Sequence, residues 1–313
     1  MKALFLSGLG KVDEAIAEIK KILFKNLTNF TCWHAMGIIY RKVGDYDQAR
    51  RAYQNALKYA PENDNVMRDL SNMQLHLREF EGFLETRRQM LLKDATKNEA
   101  WSAFILALYI QKQYEQCASA IDSFLQIDGN PDNKRPISPP EKNELFVLKA
   151  KSLVQQKKFA EALDFVQKSP AILNKYAKFE LEAQSYSGLG KTEEAIDAYE
   201  RLLELNSVNY ETYYKILKTH GLDLFDQHGK PKAISKADQD KLREIMKKYQ
   251  EGLPKVDAPI RVQMKWLEGA EFDRALAIWM KPLLIKGAPS VIQDLKEFYT
   301  NPTKVKSIET LLL

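Results

Sequence analysis

The chain is 313 residues long, 45% hydrophobic and 28% charged, with a formal net charge of +5. The apolar content is ample for a buried core, and so mild a positive balance permits contact with RNA or an acidic surface without arguing for it. Cys32 and Cys117 form neither a disulfide framework nor a zinc pair, no apolar run approaches the ~20 residues that span a bilayer, and the N-terminus lacks a secretion signal, so a cytoplasmic protein with reduced thiols and no membrane attachment is expected.

In chain order, a short helical stretch leads into Ser7-Gly8-Leu9-Gly10-Lys11, a turn, and then a second helical pattern containing Ala15. From Phe30 to Asn63 one longer pattern is complete. Counting Phe30 as position 1, Trp33 falls at 4, Gly37 at 8, Tyr40 at 11, Ala49 at 20, Tyr53 at 24, Ala56 at 27 and Pro61 at 32. This is the pattern of a tetratricopeptide repeat, two antiparallel helices per unit. Gly37 and Ala49 are expected where the helices cross closely. Trp33, Tyr40 and Tyr53 fill the space between helices, and Pro61 ends the second one. Gly44 supplies the turn, with Asp45 placed to cap the second helix.

The small-residue position recurs once per repeat length, at Ala15, Ala49, Phe83 and Cys117; the unit from 64 to 97 is degenerate, because Phe83 and Arg87 replace a small and an aromatic residue. Residues 129–141 hold four prolines and break the register, which predicts an extended inserted loop. Beyond it Phe159 and Ala162, then Ala195 and Tyr199, resume the template. Ser187-Gly188-Leu189-Gly190-Lys191 repeats the early Ser7–Lys11 segment, and Ala195 answers to Ala15, a shift of five whole repeats plus a short insertion. The same shift carries Trp33 to Tyr213, which opens a seventh unit with a long segment from Gly221 to about Ser235 between its helices. Its second helix is predicted from about Lys236 to Glu251. An eighth unit contains Trp266, Phe272, Ala275 and Trp279, and Val291 to Tyr299 would start a ninth. The expected fold is therefore all-α: a tetratricopeptide α-solenoid, a right-handed superhelix of about eight helix pairs. It divides into a first array over 1–128, the proline-rich loop at 129–141, a second block over 142–220 and irregular helix pairs over 221–313. Both ends look cut within repeats, which predicts a piece of something longer.

No catalytic, cofactor-binding or metal-ligating set emerges. The string from Gly188 to Thr192 imitates a phosphate loop but has Ser185 where the first glycine is needed and no strand before it, so it reads as an inter-helix turn. His34, His76, His220 and His228 lack ligand spacing, and His34 is expected to face a groove or solvent. Residues 230–248 carry seven basic side chains against three acids. A solvated helix face is the plain reading. The alternative is a patch facing the ribosome and its RNA through Lys241, Lys247 and Lys248, the first and last of which lie seven apart on one helix face.

Several strings are more specific than the generic repeat. Cys32-Trp33-His34, Tyr46-Asp47, Asn55-Ala56-Leu57-Lys58, Arg68-Asp69-Leu70-Ser71 and Glu81-Gly82-Phe83-Leu84-Glu85-Thr86-Arg87 resemble the N-terminal region of the auxiliary subunit of N-terminal acetyltransferase A. Arg261 to Phe272, with Trp266-Leu267-Glu268-Gly269, and Lys286-Gly287-Ala288-Pro289-Ser290-Val291, followed by Leu295 and Tyr299, resemble later segments of the same family. The resemblance implies a non-catalytic scaffold without a cofactor of its own. It also implies two partners, a small GNAT-fold catalytic acetyltransferase subunit and the ribosome, and hence a ribosome-associated location. The rival reading is a generic tetratricopeptide adaptor or co-chaperone that binds peptides in its groove.

Overall fold

The computed structural model describes residues 2–129, 136–169, 174–299 and 301–312. Among these the secondary structure is helical apart from one isolated bridge, Phe225 with Pro231. Contacts divide the chain into two compact units, Met1–Gln156 and Lys157–Leu313.

In the first unit the helices are α1 (Lys2–Gly8), α2 (Val12–Lys25), α3 (Phe30–Lys42), α4 (Tyr46–Tyr59), α5 (Asp64–His76) and α6 (Phe80–Lys93), followed by α7 (Asn98–Ile110), α8 (Tyr114–Asp128) and α9 (Pro139–Gln155). Their starts keep the repeat: α2, α4, α6 and α8 begin at one constant interval, at Val12, Tyr46, Phe80 and Tyr114, and α3, α5 and α7 keep the same interval. The connections inside the repeats close the same way. Asp45 N–H donates to the Tyr40 carbonyl, Glu79 to Gln74 and Gln113 to Leu108, the 6→1 bond of a Schellman stop. That stop needs one residue in the left-handed region. Gly10 and Gly44 supply it with φ of 81° and 85°, whereas the same position in the next two units falls on Arg78 and Lys112, both at 59°. Asp45 caps α4 by accepting from Gln48 N–H at 3.1 Å, and Asn29 and Asn63 cap α3 and α5.

Residues 130–135 of the expected proline-rich loop lie outside the described residues. The loop ends earlier than 141, because α9 begins at Pro139. Ser138 and Glu141 form a reciprocal capping box, with Ser138 N–H donating to Glu141 at 3.0 Å. Pro139 and Pro140 occupy the first turn, where a missing N–H costs nothing.

The second unit contains α10 (Phe159–Lys168), α11 (Lys175–Gly188), α12 (Thr192–Leu205), α13 (Tyr210–Thr219), α14 (Lys236–Gly252), α15 (Ala258–Gln263) and α16 (Gly269–Ile285). It ends with α17 (Ser290–Leu295), a 3₁₀ turn (Lys296–Phe298) and α18 (Pro302–Leu312). The start of α14 falls at Lys236, capped by Ser235. Helix α12 begins at Thr192, the position that the internal duplication pairs with Val12 at the start of α2. One core gathers Tyr199, Tyr213, Met246 and Trp266; a second gathers Phe272, Trp279, Leu295 and Ile308. Helix α18 goes beyond the elements expected from the sequence. It is held by Ile308 in that second core and by Lys304, whose buried ammonium donates to the carbonyls of Met264 and Lys265, both at 2.9 Å.

Candidate functional site

The template residues build a shallow groove on the first unit. Ala49, Tyr53 and Ala56 are fully buried, Ala49 and Tyr53 against Leu70 and Met73 of α5. Gly37 makes room for Tyr53: a Cβ on Gly37 would lie 2.4 Å from the tyrosine ring. Burial pushes the Tyr53 hydroxyl up to about 12, and among the described residues that oxygen has no hydrogen-bond partner. Trp33 and Tyr40 are only half-buried. They pack against the core around Ile19, Met36 and Ala52 and also line a groove of about 460 Å³ with Met36, Gln48, Arg51 and Asn55. Trp33 is fixed by its indole N–H, which donates to the Leu27 carbonyl at 2.8 Å. Two residues in the same register, Trp101 and Tyr213, make the same tether to the carbonyls of Ala95 and Ser207, six residues upstream. Pro61 is exposed just beyond the end of α4.

His34 does not face solvent. Its Nε2 lies 2.8 Å from Asp69 Oδ2, and Arg41 donates to the other carboxylate oxygen at 3.2 Å. Burial works against the Asp69 charge, but His34 and Arg41 together hold the carboxyl below its usual range. This node joins α3 to α5, so a histidine at a groove-like position serves packing between repeats.

An equivalent groove of about 380 Å³ lies on the second unit. In the shared register Tyr186 stands for Tyr40 and Ala198 for Ala52. The polarity, however, is inverted: Glu182 replaces Met36, Glu194 replaces Gln48, and Asp197 replaces Arg51. Gln167 donates to the Tyr186 hydroxyl at 3.1 Å on one wall, and Arg201 is committed to Asp197 at 2.6 Å on the other. Glu182 is not among the residues singled out from the sequence. The available signal is a carboxylate at a template position that takes an apolar residue in the complete repeat.

The basic stretch at 230–248 is laced with acids, some neighbours in the sequence (Asp240, Glu251) and some brought to it by the fold (Glu200, Asp223, Glu271). Lys232 pairs with Asp223, and Lys248 pairs with Glu200 at 3.2 Å. Arg243 pairs with Asp240 and Glu271, and Lys247 lies 3.8 Å from Glu251. Lys241 donates to the His220 carbonyl at 2.6 Å. Lys241, Lys247 and Lys248 are all exposed, but the field around them is weaker than seven cations against three acids suggests.

The string from Gly188 to Thr192 is the Schellman stop of α11. Gly190 has φ 74°, and Lys191 N–H donates to the Tyr186 carbonyl. Among the described residues no group of three or more His, Cys, Asp or Glu could hold a metal ion. Burial pushes the Cys117 thiol up, away from a reactive thiolate, and its Sγ donates to the Ile105 carbonyl. No helix among the described residues is long and apolar enough to cross a membrane.

Two family models match the chain. One, described as N-terminal acetyltransferase A, auxiliary subunit, covers residues 140–313; the other, Psidin, N-terminal TPR repeats region, covers residues 1–203. An N-terminal acetyltransferase A complex auxiliary subunit of Arabidopsis thaliana is 29% identical over the whole chain. The Mus musculus N-alpha-acetyltransferase 16, NatA auxiliary subunit, is 28% identical over the same extent. The chain spans only 34% of the length of each of these relatives. Among solved structures, that of Naa15/Naa10 bound to HypK-THB is similar over 99% of this chain and 45% of the other, with a TM-score of 0.67 and 26% identity.

Proposed function

The chain belongs to the family of N-terminal acetyltransferase A auxiliary subunits, and we propose that it is a scaffold segment that helps hold the catalytic acetyltransferase subunit and bring it to the ribosome. The observation that carries this reading is the likeness along 99% of the chain to Naa15, in a structure where Naa15 is complexed with Naa10. A stack of helix pairs suits the task, since each repeat adds exposed helix surface. Such a platform acts indirectly: it converts the encounter between enzyme and nascent chain into a local event at high effective concentration. The ribosome part of the proposal rests on the exposed lysines of α14, reduced in strength by their acidic neighbours.

The test is co-expression of the chain with the GNAT-type catalytic subunit, followed by purification through a tag on this chain alone. Co-elution through size exclusion, with acetylation of a peptide α-amino group above that of the free enzyme, is expected. Separate elution, together with binding of this chain to a C-terminal peptide carboxylate, would replace the scaffold reading with that of a generic peptide adaptor.

A further inference from the structure

Glu182 is a carboxylate without a partner. It sits on the buried face of α11 with 7% of its surface exposed, and among the described residues it accepts no hydrogen bond and makes no ion pair. Lys178, one turn earlier, and Arg201 across the groove are near enough to be felt electrostatically, yet neither closes on it. Its oxygens open onto the groove, so the charge sits on a mostly buried side chain where solvent reaches it but no protein cation closes on it, an arrangement less favourable than a paired one. The opening above Glu182 leads to solvent past Glu193 and Glu194, both exposed and, among the described residues, without a cation partner of their own. Asp197 adds a fourth carboxylate, and the guanidinium lining the groove is taken by it.

We infer that this groove, lined by α10, α11 and α12, receives a lysine or arginine side chain from a basic segment of a partner polypeptide, with the Glu182 carboxylate at its floor as the counter-ion. A metal ion does not fit, because no three of these carboxylates converge. A lone amine would use the floor but leave the rim idle. Glu193 and Glu194 extend the negative field outward along the first turn of α12, which suits a chain presenting successive positive charges. The Tyr186 ring and Ala198 provide an apolar wall for a methylene stem, the usual lodging of a long basic side chain. The register-equivalent groove of the first unit, with Met36 at its floor and Lys20 and Arg51 on its lining, lacks this complementarity. Any partner with a basic segment would satisfy the groove, so its role and the scaffold role can fail separately.

The test uses a fluorescein-labelled tetralysine peptide titrated into the full chain and followed by fluorescence anisotropy. Glu182→Gln keeps the shape and removes the charge; it is expected to weaken binding about tenfold. Glu81→Gln, which removes the same charge from an exposed site on α6, is expected to leave the affinity within a factor of about 1.5. Should Glu182→Gln not fold, the double variant Glu193→Gln/Glu194→Gln, confined to exposed positions, decides by the same criterion. Carbodiimide cross-linking of the bound peptide should place the new amide on Glu182, Glu193 or Glu194. No binding by the unaltered chain, or equal weakening by Glu182→Gln and Glu81→Gln, overturns the inference.

Discussion

Gly8 and Gly188 occupy the same position in two copies of one local sequence, yet their surroundings differ, and this makes a matched pair of perturbations. A Cβ on Gly188 would lie 2.5 Å from three carbons of the Phe159 ring on the neighbouring α10, whereas nothing lies within 4 Å of the site on Gly8. Ordinary contact begins near 3.4 Å, so Phe159 would have to retreat by about 1 Å in a packed interior. Overpacking of this kind costs about 1–3 kcal/mol. Alanine also gains up to about 1 kcal/mol over glycine in a helix. Gly188→Ala should therefore destabilise by about 0–2 kcal/mol and Gly8→Ala should stabilise by up to about 1, leaving a gap of about 1–3 kcal/mol between twins. A repeat array does not unfold as one unit, so the assay is amide hydrogen exchange read by mass spectrometry on peptides from α10–α12 and α1–α2. The gap corresponds to about a 5–150-fold difference in protection. In a Phe159→Leu background the penalty at Gly188 should shrink. Equal shifts at the two glycines would refute the close approach.

At Arg78, held at φ 59° in a stop that suits glycine, Arg78→Gly should stabilise α5–α6 by up to about 1 kcal/mol, because relief of left-handed strain outweighs the added chain entropy; lower protection of those helices in exchange would contradict it. Burial raises the Glu182 carboxyl above the usual glutamate range, so the folded chain binds that proton more readily than the unfolded chain. The protonated group is thus the better tolerated one: Glu182→Gln should resist urea better than the unaltered chain at neutral pH, and its advantage should narrow as pH falls through the raised value, whereas an advantage constant with pH would contradict this. Reversing Lys241, Lys247 and Lys248 to Glu should leave helical circular dichroism intact and weaken ribosome co-sedimentation about tenfold, with strong salt dependence; undiminished, salt-insensitive sedimentation would leave the segment a solvated helix face.

The periodic part of the fold was legible because steric roles repeat at fixed intervals. Ala15, Ala49, Cys117, Ala162 and Ala195 are all fully buried, and the helices begin where the template puts them. What escaped detection had a different cause in each place. At Pro139-Pro140 the prolines read as breakers, although Ser138-x-x-Glu141 is a capping signature and proline is at home in a first turn. Helix α18 lacks the template residues, and its anchor is Lys304, a residue type seldom expected inside; Phe272 and Phe298 face its ammonium at 4.9 and 5.6 Å. The His34–Asp69 pair joins residues 35 apart in sequence, a contact between repeats that periodicity within one repeat cannot show. The acidic groove depends on a comparison of equivalent positions in two units, and only the structure shows that Glu182 is buried there without a partner.

Whether this chain is a platform for a catalytic partner is read most simply by direct titration calorimetry. The purified chain is titrated with the purified GNAT-type catalytic subunit, in parallel with an unrelated acetyltransferase of the same fold. A scaffold segment should bind the first saturably, one to one, and the second not at all, with a negative heat-capacity change as apolar surface is buried. A flat titration with the family's catalytic subunit, or equal heats for both enzymes, would contradict it.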